Sequence, residues 1–228
     1  MSVAVLVPWN GQGCEWRERA WQHVRAHYET AHPDWPLFVG ECEGEWSKGT
    51  AVRRALEQCD ADRLVIADAD SLVPPDDLTA AVEALDVKVW GMPHRTVRRL
   101  NDEATRRFLA GEPFDRRMVA RKVYTGVPTG GILVIRRDIY EATGGFDPGF
   151  LTWGGEDITY HRVLARLHGV GHKGRAELLH LWHPPAAPQV QIVGGNKELV
   201  RRWRVACRDL DSLAAFIDER RQAWPPSD

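Results

Sequence analysis

Three short apolar runs alternate with amphipathic stretches in the first seventy residues of the chain. The runs are VAVLVP from Val3, LFVGEC from Leu37 and RLVIA from Arg63. Runs that are apolar at nearly every position are typical of strands buried on both faces. Strands that alternate with helices form a parallel sheet whose faces those helices cover. The sequence therefore predicts an α/β fold with a Rossmann-like, mostly parallel central sheet flanked by helices.

The stretches between the runs have helical periodicity and recognisable helix starts. The first carries one apolar stripe made of Ala20, Trp21, Val24 and Tyr28. Ser47 can cap a second helix, and Pro75 can begin a third. Further strands are expected at VKVWGM, GILVIR and AELLHLW, a helix from about Glu156 to His168, and a helical tail from 196 to 224. Between 95 and 122, nine basic residues stand against four acidic ones without a clear apolar period, and we expect an irregular or helical insert there.

Length, charge and cysteine spacing exclude several classes of protein. A chain of 228 residues suits one large α/β domain, and a formal net charge of -2 provides no overall cationic field for nucleic acid or an anionic membrane. Four cysteines without a CxxC pair argue against zinc ribbons and a disulfide framework, and favour free thiols in a reducing compartment. No run approaches the roughly 20 apolar residues of a membrane span. We expect a soluble, cytoplasmic protein.

Signatures of several common enzyme classes are missing from the sequence. GQGCEW after the first run begins like a dinucleotide-binding fingerprint, but Trp16 stands where the third glycine is required. The chain has no GxxxxGK[ST] loop and no GxSxG elbow. Rossmann oxidoreductases, P-loop phosphotransferases and common serine hydrolases are therefore disfavoured.

Two aspartates, Asp68 and Asp70, directly follow the third apolar run and enclose Ala69. Ligands of open α/β sheets bind at the carboxyl ends of strands, where two carboxylates can hold a hard divalent cation beside a diphosphate. Acidic residues also commonly lead a strand into a turn. The triplet alone is therefore a weak signal for a metal site.

A glycine-rich segment, GGFDPGFLTWGGEDITYHRVL, ends with two acids at the start of a predicted helix, Glu156 and Asp157. Glycines let a backbone approach a ligand closely, and a carboxylate here could accept a proton from a substrate hydroxyl. Acids near a helix N-terminus also complement the helix dipole, which can account for one of the two. The dipole does not explain why WGG precedes them.

Two histidines, His180 and His183, lie in HLWHPP at the end of the last predicted strand. Imidazole combined with carboxylates suits manganese or another borderline divalent ion. Residues three apart on an extended chain point to opposite faces, so we expect one of the two to bind the ion unless the strand ends between them. The PPAAP that follows is expected to be a stiff connector or lid.

Taken together and in this order, these features resemble the nucleotide-sugar glycosyltransferases of the GT-A fold. The segment from Gly130 to Leu164 is similar to the C-terminal galactosyltransferase region of β-1,4-galactosyltransferases, polypeptide N-acetylgalactosaminyltransferases and bacterial chondroitin-type polymerases. GGFD followed by WGGED carries the similarity, which extends more weakly from Val3 to about Pro184. The resemblance implies a metal-dependent hexosyltransferase with Mn²⁺ or Mg²⁺ as cofactor and a UDP-sugar as donor.

The resemblance also implies roles at the metal and nucleotide. Asp70 and His180 would coordinate the ion, Asp68 would contact the ion or the ribose, and His183 would lie near the diphosphate or exchange roles with His180. Pro8, Trp9 and Asn10 would border the uracil pocket, although PWNGQG departs from the commoner P-T-x-N form. The other positions assigned to the donor are Glu41, Lys48, Arg53, Ala69, Gly131, Trp153, Gly154 and Gly155.

In the inverting galactosyltransferases the aspartate of WGGED is the general base, which is Asp157 here, and Glu156 would hold the acceptor or donor sugar. Relatives with asparagine at that position are retaining, so the resemblance favours inversion. We expect a catalytic core without a stem or lectin domain. It would be one domain over 1–228, with a nucleotide-binding half (1–95), an acceptor half (96–185) and a helical tail (186–228).

The acceptor and two other functions stay open. The basic segment 95–122 is either a solvated helix face or a surface for an anionic acceptor, which would be a glycan, a protein or modified nucleic acid. A sugar nucleotidyltransferase also combines an α/β sheet with acidic metal ligands, but it needs a glycine-rich basic signature that GQGCEW lacks. A nucleotide-sugar-binding module without turnover is the remaining alternative.

Overall fold

The computed structural model describes residues 1–11, 13–125, 129–184 and 194–223 of the chain. The strands are β1 (Val3–Pro8), β2 (Leu37–Gly40), β3 (Arg63–Ala67), β4 (Ser71–Leu72), β5 (Trp90–Leu100), β6 (Ala120–Thr125), β7 (Ile132–Arg136) and β8 (His172–His180). The helices are α1 (Glu15–Ala31), α2 (Lys48–Leu56), α3 (Pro75–Glu83), α4 (Asp102–Leu109), α5 (Arg137–Ala142), α6 (Glu156–His168), α7 (Gly194–Ala206) and α8 (Leu210–Gln222).

One mixed sheet joins the described strands in the order β2-β1-β3-β7-β5-β8-β4, and β6 pairs with β5 beside this path. The pairings make β1, β2, β3, β5 and β8 run in one direction, whereas β4, β6 and β7 run against them. The predicted α/β fold with a mostly parallel central sheet is therefore confirmed. The carboxyl ends of β1, β2 and β3 meet at one edge of the sheet, where ligands of such folds bind.

Side chains of β1 alternate between two hydrophobic cores, one on each face of the sheet. Val5 and Val7 pack with residues of α1, α3 and α4 on one face. Ala4 and Leu6 pack with residues of α2, α5, α6, α7 and α8 on the other. Because both faces are covered, an apolar side chain is favoured at each position of the strand, as the run VAVLVP predicts.

Local helix signals in the sequence are reproduced in the structure. The Ser47 side chain accepts a hydrogen bond from the Thr50 backbone N–H, and Pro75 occupies the first turn of α3. The predicted stripe of α1, Ala20, Trp21, Val24 and Tyr28, is buried throughout. The predicted bounds of α6 agree with the observed helix, Glu156–His168. These signals depend on neighbouring residues only, so they can be recognised without knowledge of the fold.

Two strands differ from their predicted bounds by more than two residues at one end or both. β5 continues to Leu100, into the segment expected to be irregular or helical, because it pairs with β6 on one side and β8 on the other. β8 begins at His172, before the predicted AELLHLW, and ends at His180, so that Trp182 lies beyond it. Both differences come from pairing with distant strands, which supplies hydrogen bonds that no local sequence pattern reveals.

The C-terminal helices are fastened to the glycine-rich segment by a buried carboxylate. Asp147, which is 4% exposed, accepts hydrogen bonds from the indole N–H of Trp203 in α7 at 2.8 Å and from the guanidinium of Arg220 in α8 at 2.9 Å. A buried charge requires such partners, so this contact fixes where both helices pack. None of the described helices is long and apolar enough to cross a membrane. The predicted PPAAP connector lies, after Pro184, outside the described residues.

Replacing Asp147 with alanine should destabilise the protein strongly. The substitution leaves the guanidinium of Arg220 without its carboxylate in a largely buried place, and such losses cost about 3 to 5 kcal/mol. Urea unfolding followed by circular dichroism measures the change. Asp218→Ala is the control, because its ion pair with Arg221 is exposed and should contribute under about 1 kcal/mol. Equal losses in the two variants would contradict the assignment.

Candidate active site

A buried lysine lies between two carboxylates that are far apart in the sequence. The Nζ atom of Lys48 is 2.7 Å from Oδ1 of Asp68 and 2.8 Å from Oδ1 of Asp157. Lys48 begins α2, Asp68 follows β3, and Asp157 stands in the first turn of α6. The lysine side chain is only 10% exposed. The structure thus brings together two of the three predicted groups of functional residues, and we call these three side chains the ion-pair centre.

Hydrogen bonds between the WSKG segment and the glycine-rich loop hold the ion-pair centre in place. The Ser47 hydroxyl donates to the Pro148 carbonyl at 2.9 Å. The Thr152 backbone N–H donates to the Trp46 carbonyl at 2.7 Å. The two residues directly before Lys48 are therefore bonded to a loop about a hundred positions away, which holds the start of α2 against the segment that leads into α6.

Burial and charge change the protonation of this centre. Burial alone would lower the pKa of Lys48, but the carboxylates of Asp157 and Asp68 outweigh it and raise that pKa well above its usual range. Burial raises the pKa of Asp157, Asp68 adds to the rise, and Lys48 opposes it. Burial and the neighbouring Asp157 raise the pKa of Glu156 to about 7. Acids with raised pKa values in a cleft are suited to accepting a proton near neutral pH.

A glycine lets the Asp157 carboxylate lie directly against the backbone that precedes β7. A Cβ atom on Gly130 would lie 2.5 Å from Oδ2 of Asp157. The Gly130 carbonyl accepts a hydrogen bond from Nε2 of His94 at 3.1 Å, and burial lowers the pKa of His94 to about 4, so that its ring is neutral. The next residue, Gly131, accepts a hydrogen bond from the Asp68 backbone N–H at 2.8 Å. The sequence TGG before β7 therefore forms one wall of the ion-pair centre.

The third predicted group, the two histidines, lies around Asp70. Nε2 of His183 is 3.0 Å from Oδ2 of Asp70, and Nε2 of His180 is 3.7 Å from Oδ1. One ligand atom from each of the three residues lies within 4.8 Å of the others, and no further group of this kind occurs in the described ranges. Asp68 lies outside the group, beside Lys48. We call Asp70, His180 and His183 the metal-ligand cluster.

The chemistry of this cluster fits a cation. Nδ1 of His183 lies 2.9 Å from the Pro184 carbonyl, which can only accept, so Nδ1 carries the proton and Nε2 faces Asp70. A nitrogen lone pair and a carboxylate that face each other need a proton or a cation between them. The outward hydrogen bond of a metal-binding histidine to a backbone carbonyl is a recurrent arrangement in metal sites.

The protonation states of His180 and Asp70 also suit the coordination of a metal ion. Burial lowers the pKa of His180 despite the opposing charge of Asp70, so this ring is neutral at neutral pH. Burial would raise the pKa of Asp70, but His180 and His183 outweigh it and hold that pKa far below its usual range. A neutral imidazole and an ionised carboxylate are the forms that coordinate a divalent ion.

The end of β8 explains how two histidines three residues apart reach one carboxylate. The strand ends at His180, whose Cα pairs with Ser71 of β4, and the Leu181 backbone N–H donates to the Asp70 carbonyl at 2.8 Å. His183 lies beyond the end of the strand, so the alternation of faces along β8 does not apply to it, and it also reaches Asp70. The sequence left open whether one or both histidines approach the cation, and the structure places both against Asp70.

The other predicted donor positions follow the strand ends or line the glycine-rich loop. Pro8, Trp9 and Asn10 lie at the end of β1, and Glu41 is exposed directly after β2. Ala69 lies between the two aspartates, Trp153 is 45% exposed, and Gly155 is the left-handed N-cap of α6 after the buried Gly154. Arg53 instead lines a cavity of about 400 Å³ with Tyr140 and Arg221, whereas Lys48 faces the ion-pair centre.

Sequence reasoning missed a residue that shapes the WGGED loop. The buried side-chain amide of Asn196 in α7 donates to the carbonyls of Leu151 and Gly154 at 2.8 and 2.9 Å and accepts from the Leu151 backbone N–H at 3.1 Å. The loop contains Thr152 with a φ of 59°, a conformation that costs energy in a residue other than glycine. Asn196 holds the loop in this shape. No sequence motif marks it, because its partners are backbone groups.

Comparisons with known protein families and solved structures identify similar proteins. The profile of the family described as "Glycosyltransferase like family 2" matches residues 1–173. Comparison with curated protein sequences finds no match. Among solved structures, the catalytic domain of Drosophila β1,4-galactosyltransferase 7 in complex with xylobiose is similar, with a TM-score of 0.53 and 15% identity over 88% of this chain and 79% of that chain.

Two other solved structures have the same fold. GalNAc-T7 with UDP, GalNAc and Mn²⁺ has a TM-score of 0.51 and 12% identity over 97% of this chain and 54% of that chain. TarS from S. aureus in complex with UDP-GlcNAc has a TM-score of 0.50 and 11% identity over 98% of this chain and 73% of that chain. These likenesses confirm the predicted GT-A fold. Because the family profile matches most of its length, the chain belongs to the glycosyltransferase-like family 2.

Proposed function

We propose that this protein is a metal-dependent glycosyltransferase that transfers a sugar from a UDP-sugar to a hydroxyl group of an acceptor, with inversion at the anomeric carbon. The observation that carries the proposal is the ion-pair centre, in which Lys48 joins Asp68 at the donor side to Asp157 at the start of α6. Similar structures contain UDP with Mn²⁺, or UDP-GlcNAc, which supports this class of donor. Residues 1–95 would bind the donor and 96–185 the acceptor. A cytoplasmic location also remains a prediction from the sequence.

The metal-ligand cluster would hold Mn²⁺ or Mg²⁺ through Asp70, His180 and His183. The bound ion would supply Lewis-acid stabilisation of the diphosphate as it leaves. The chain's own contribution is to present one ionised carboxylate and a neutral imidazole at the edge of the sheet, with His183 oriented by Pro184. Asp68 is assigned to the ribose or the ion, as the family resemblance implies, and its contact with Lys48 keeps its carboxylate at the donor side.

Asp157 would be the general base. Its carboxylate would take the proton of the acceptor hydroxyl while that oxygen forms a bond to the anomeric carbon and the bond from this carbon to the diphosphate oxygen breaks. The raised pKa of Asp157 makes it a better proton acceptor than an exposed aspartate, and Lys48 keeps it ionised in the resting state. Glu156, with a pKa of about 7, would hold a sugar hydroxyl by a hydrogen bond.

The backbone at the first strand ends completes the donor site in this proposal. Pro8, Trp9 and Asn10 would border the uracil, since they lie at the carboxyl end of β1, at the edge that Asp68 also occupies. The Trp9 backbone N–H donates to the Gly40 carbonyl at 2.8 Å, which fixes the two strand ends side by side. The exposed ring of Trp153 offers an apolar face on which a sugar can stack.

Asp157→Asn should keep donor binding and lose most transfer, because a general base contributes about 100 to 10,000 fold. UDP release over a panel of UDP-sugars and glycan acceptors measures transfer, and saturation-transfer NMR measures donor binding. Asp76→Asn is the matched control, since Asp76 also stands in the first turn of a helix but is exposed. Transfer at the normal rate by the Asp157 variant would remove this residue from its role. Donor binding without UDP release by the unmodified protein would favour a binding module.

Asp70→Ala should weaken Mn²⁺ binding by about tenfold or more, since it removes the carboxylate that both histidines face. Electron paramagnetic resonance of free Mn²⁺ in a titration gives the dissociation constant. Asp60→Ala, an exposed aspartate just before the opposite end of β3, is the control and should bind the ion like the unmodified protein. An unchanged dissociation constant in the Asp70 variant would contradict the coordination scheme.

Glu156→Gln should stabilise the protein more at about pH 8 than at about pH 5, by on the order of 1 kcal/mol. The pKa of Glu156 rises from 4.5 to about 7 on folding, so the free energy of unfolding falls as the pH rises between these values, and glutamine removes that loss. Urea unfolding in metal-free buffer measures the effect. Glu83→Gln makes the same change at an exposed position and serves as the control. A gain that is equal at both pH values would contradict the assignment.

A further inference from the structure

A strip of cationic and aromatic side chains lies beside the site, on the face of the sheet that His180 shares. Strand register places Arg99 of β5 opposite His180 of β8 on one side and opposite Lys122 of β6 on the other. Residues directly opposite in neighbouring strands lie on the same face. The Arg99 guanidinium carbon is 5.7 Å, and the Lys122 Nζ atom 4.4 Å, from the centre of the Tyr124 ring. We call Arg99, Lys122 and Tyr124 the cationic strip.

Neighbouring carboxylates neutralise much of the remaining positive charge of the basic segment. Its ion pairs with acids are Arg98–Glu177, Arg106–Asp102, Arg107–Glu112 and Arg117–Asp115. Arg99 and Lys122 have no ion pair to a carboxylate within the part of the chain that the structure describes, and the Nε–H of Arg99 is buried without a hydrogen-bond partner. A buried donor without an acceptor is unfavourable, and an anionic ligand that draws the guanidinium toward it would relieve this.

Arg99 joins the cationic strip to the metal-ligand cluster. Strand register sets Arg99 directly opposite His180, which places its positive charge beside the metal-ligand cluster. The strip then continues away from the cluster to β6, whose residues from Arg121 to Thr125 are exposed. A group bound there would lie beside the metal-ligand cluster, in the part of the chain assigned above to the acceptor, and would have room to extend into solvent.

We propose that the cationic strip binds an anionic group, a phosphate or a carboxylate, on the acceptor substrate. This rests on the function proposed above and deepens it, because it names the acceptor as an anion. The guanidinium and ammonium groups would supply charge-assisted hydrogen bonds, and the Tyr124 ring would hold both cations toward the ligand. The basic segment 95–122 is expected from the sequence to be either a solvated helix face or a surface for an anionic acceptor. The arginines that are paired with carboxylates fit the first description, and the cationic strip fits the second.

Inorganic phosphate is the probe that tests this proposal. The full chain, saturated with Mg²⁺ and UDP so that the donor diphosphate site is filled, is titrated with phosphate at constant ionic strength while the arginine Nε–H signals are followed by NMR. We expect Arg99→Gln and Lys122→Gln each to weaken phosphate binding by about tenfold. Arg121→Gln, which removes an equal charge from the same strand outside the strip, should change it by less than about twofold. The UDP affinity of each variant reports that it is folded.

Two results would overturn the proposal. One is the absence of phosphate binding to the UDP-saturated protein, which would assign the strip to the donor diphosphate if phosphate binds when UDP is left out. The other is an equal loss in the Arg121 variant, which would indicate diffuse charge. Failure of the unmodified protein to bind UDP with Mg²⁺ contradicts the proposed function instead. In that case phosphate titration without nucleotide, compared between the unmodified protein and the Arg99 variant, still decides whether the strip binds anions.

Discussion

The two ion pairs of Lys48 are the interaction on which the site depends. A lysine this deeply buried is tolerated only because two carboxylates surround it, and loss of either would leave charge uncompensated in a poorly solvated place. The same contacts join the end of β3 to the start of α6, which are far apart in the sequence. One ammonium group therefore fixes the distance between the donor side and the acid proposed as the base.

Local chemistry made much of the fold predictable. The double-sided burial of β1, the Ser47 cap and the start of α6 each follow from a few adjacent residues, and the structure reproduces them. The length of β5 was not predictable, because its second half is held by β6 and β8 and carries arginines that a local reading assigns to a surface. Pairing with β6 and β8 therefore determines where β5 ends.

The same difference between local and distant contacts decides which parts of the site could be predicted. Asp68, Asp70, Glu156, Asp157 and the two histidines could be picked from the sequence because strand ends and glycine-rich turns mark them. Their grouping into an ion-pair centre and a separate metal-ligand cluster could not be predicted, because it depends on the ion pair between Asp68 and Lys48, while Asp70 lies against the histidines. The roles of Asn196 and Arg99 could not be predicted from the sequence for a related reason. Their partners are backbone carbonyls and residues of neighbouring strands, and such partners leave no motif.

The bonds of Asn196 give the C-terminal helices a part in the site as well as in the core. The family match ends at residue 173, yet α7 supplies the amide that shapes the loop before Glu156, and α8 supplies the guanidinium that binds Asp147. A chain shortened to the matched region would keep Asp68, Asp70 and Asp157 but lose His180, His183 and the support that shapes the loop. The boundary of sequence similarity is therefore not the boundary of the working unit.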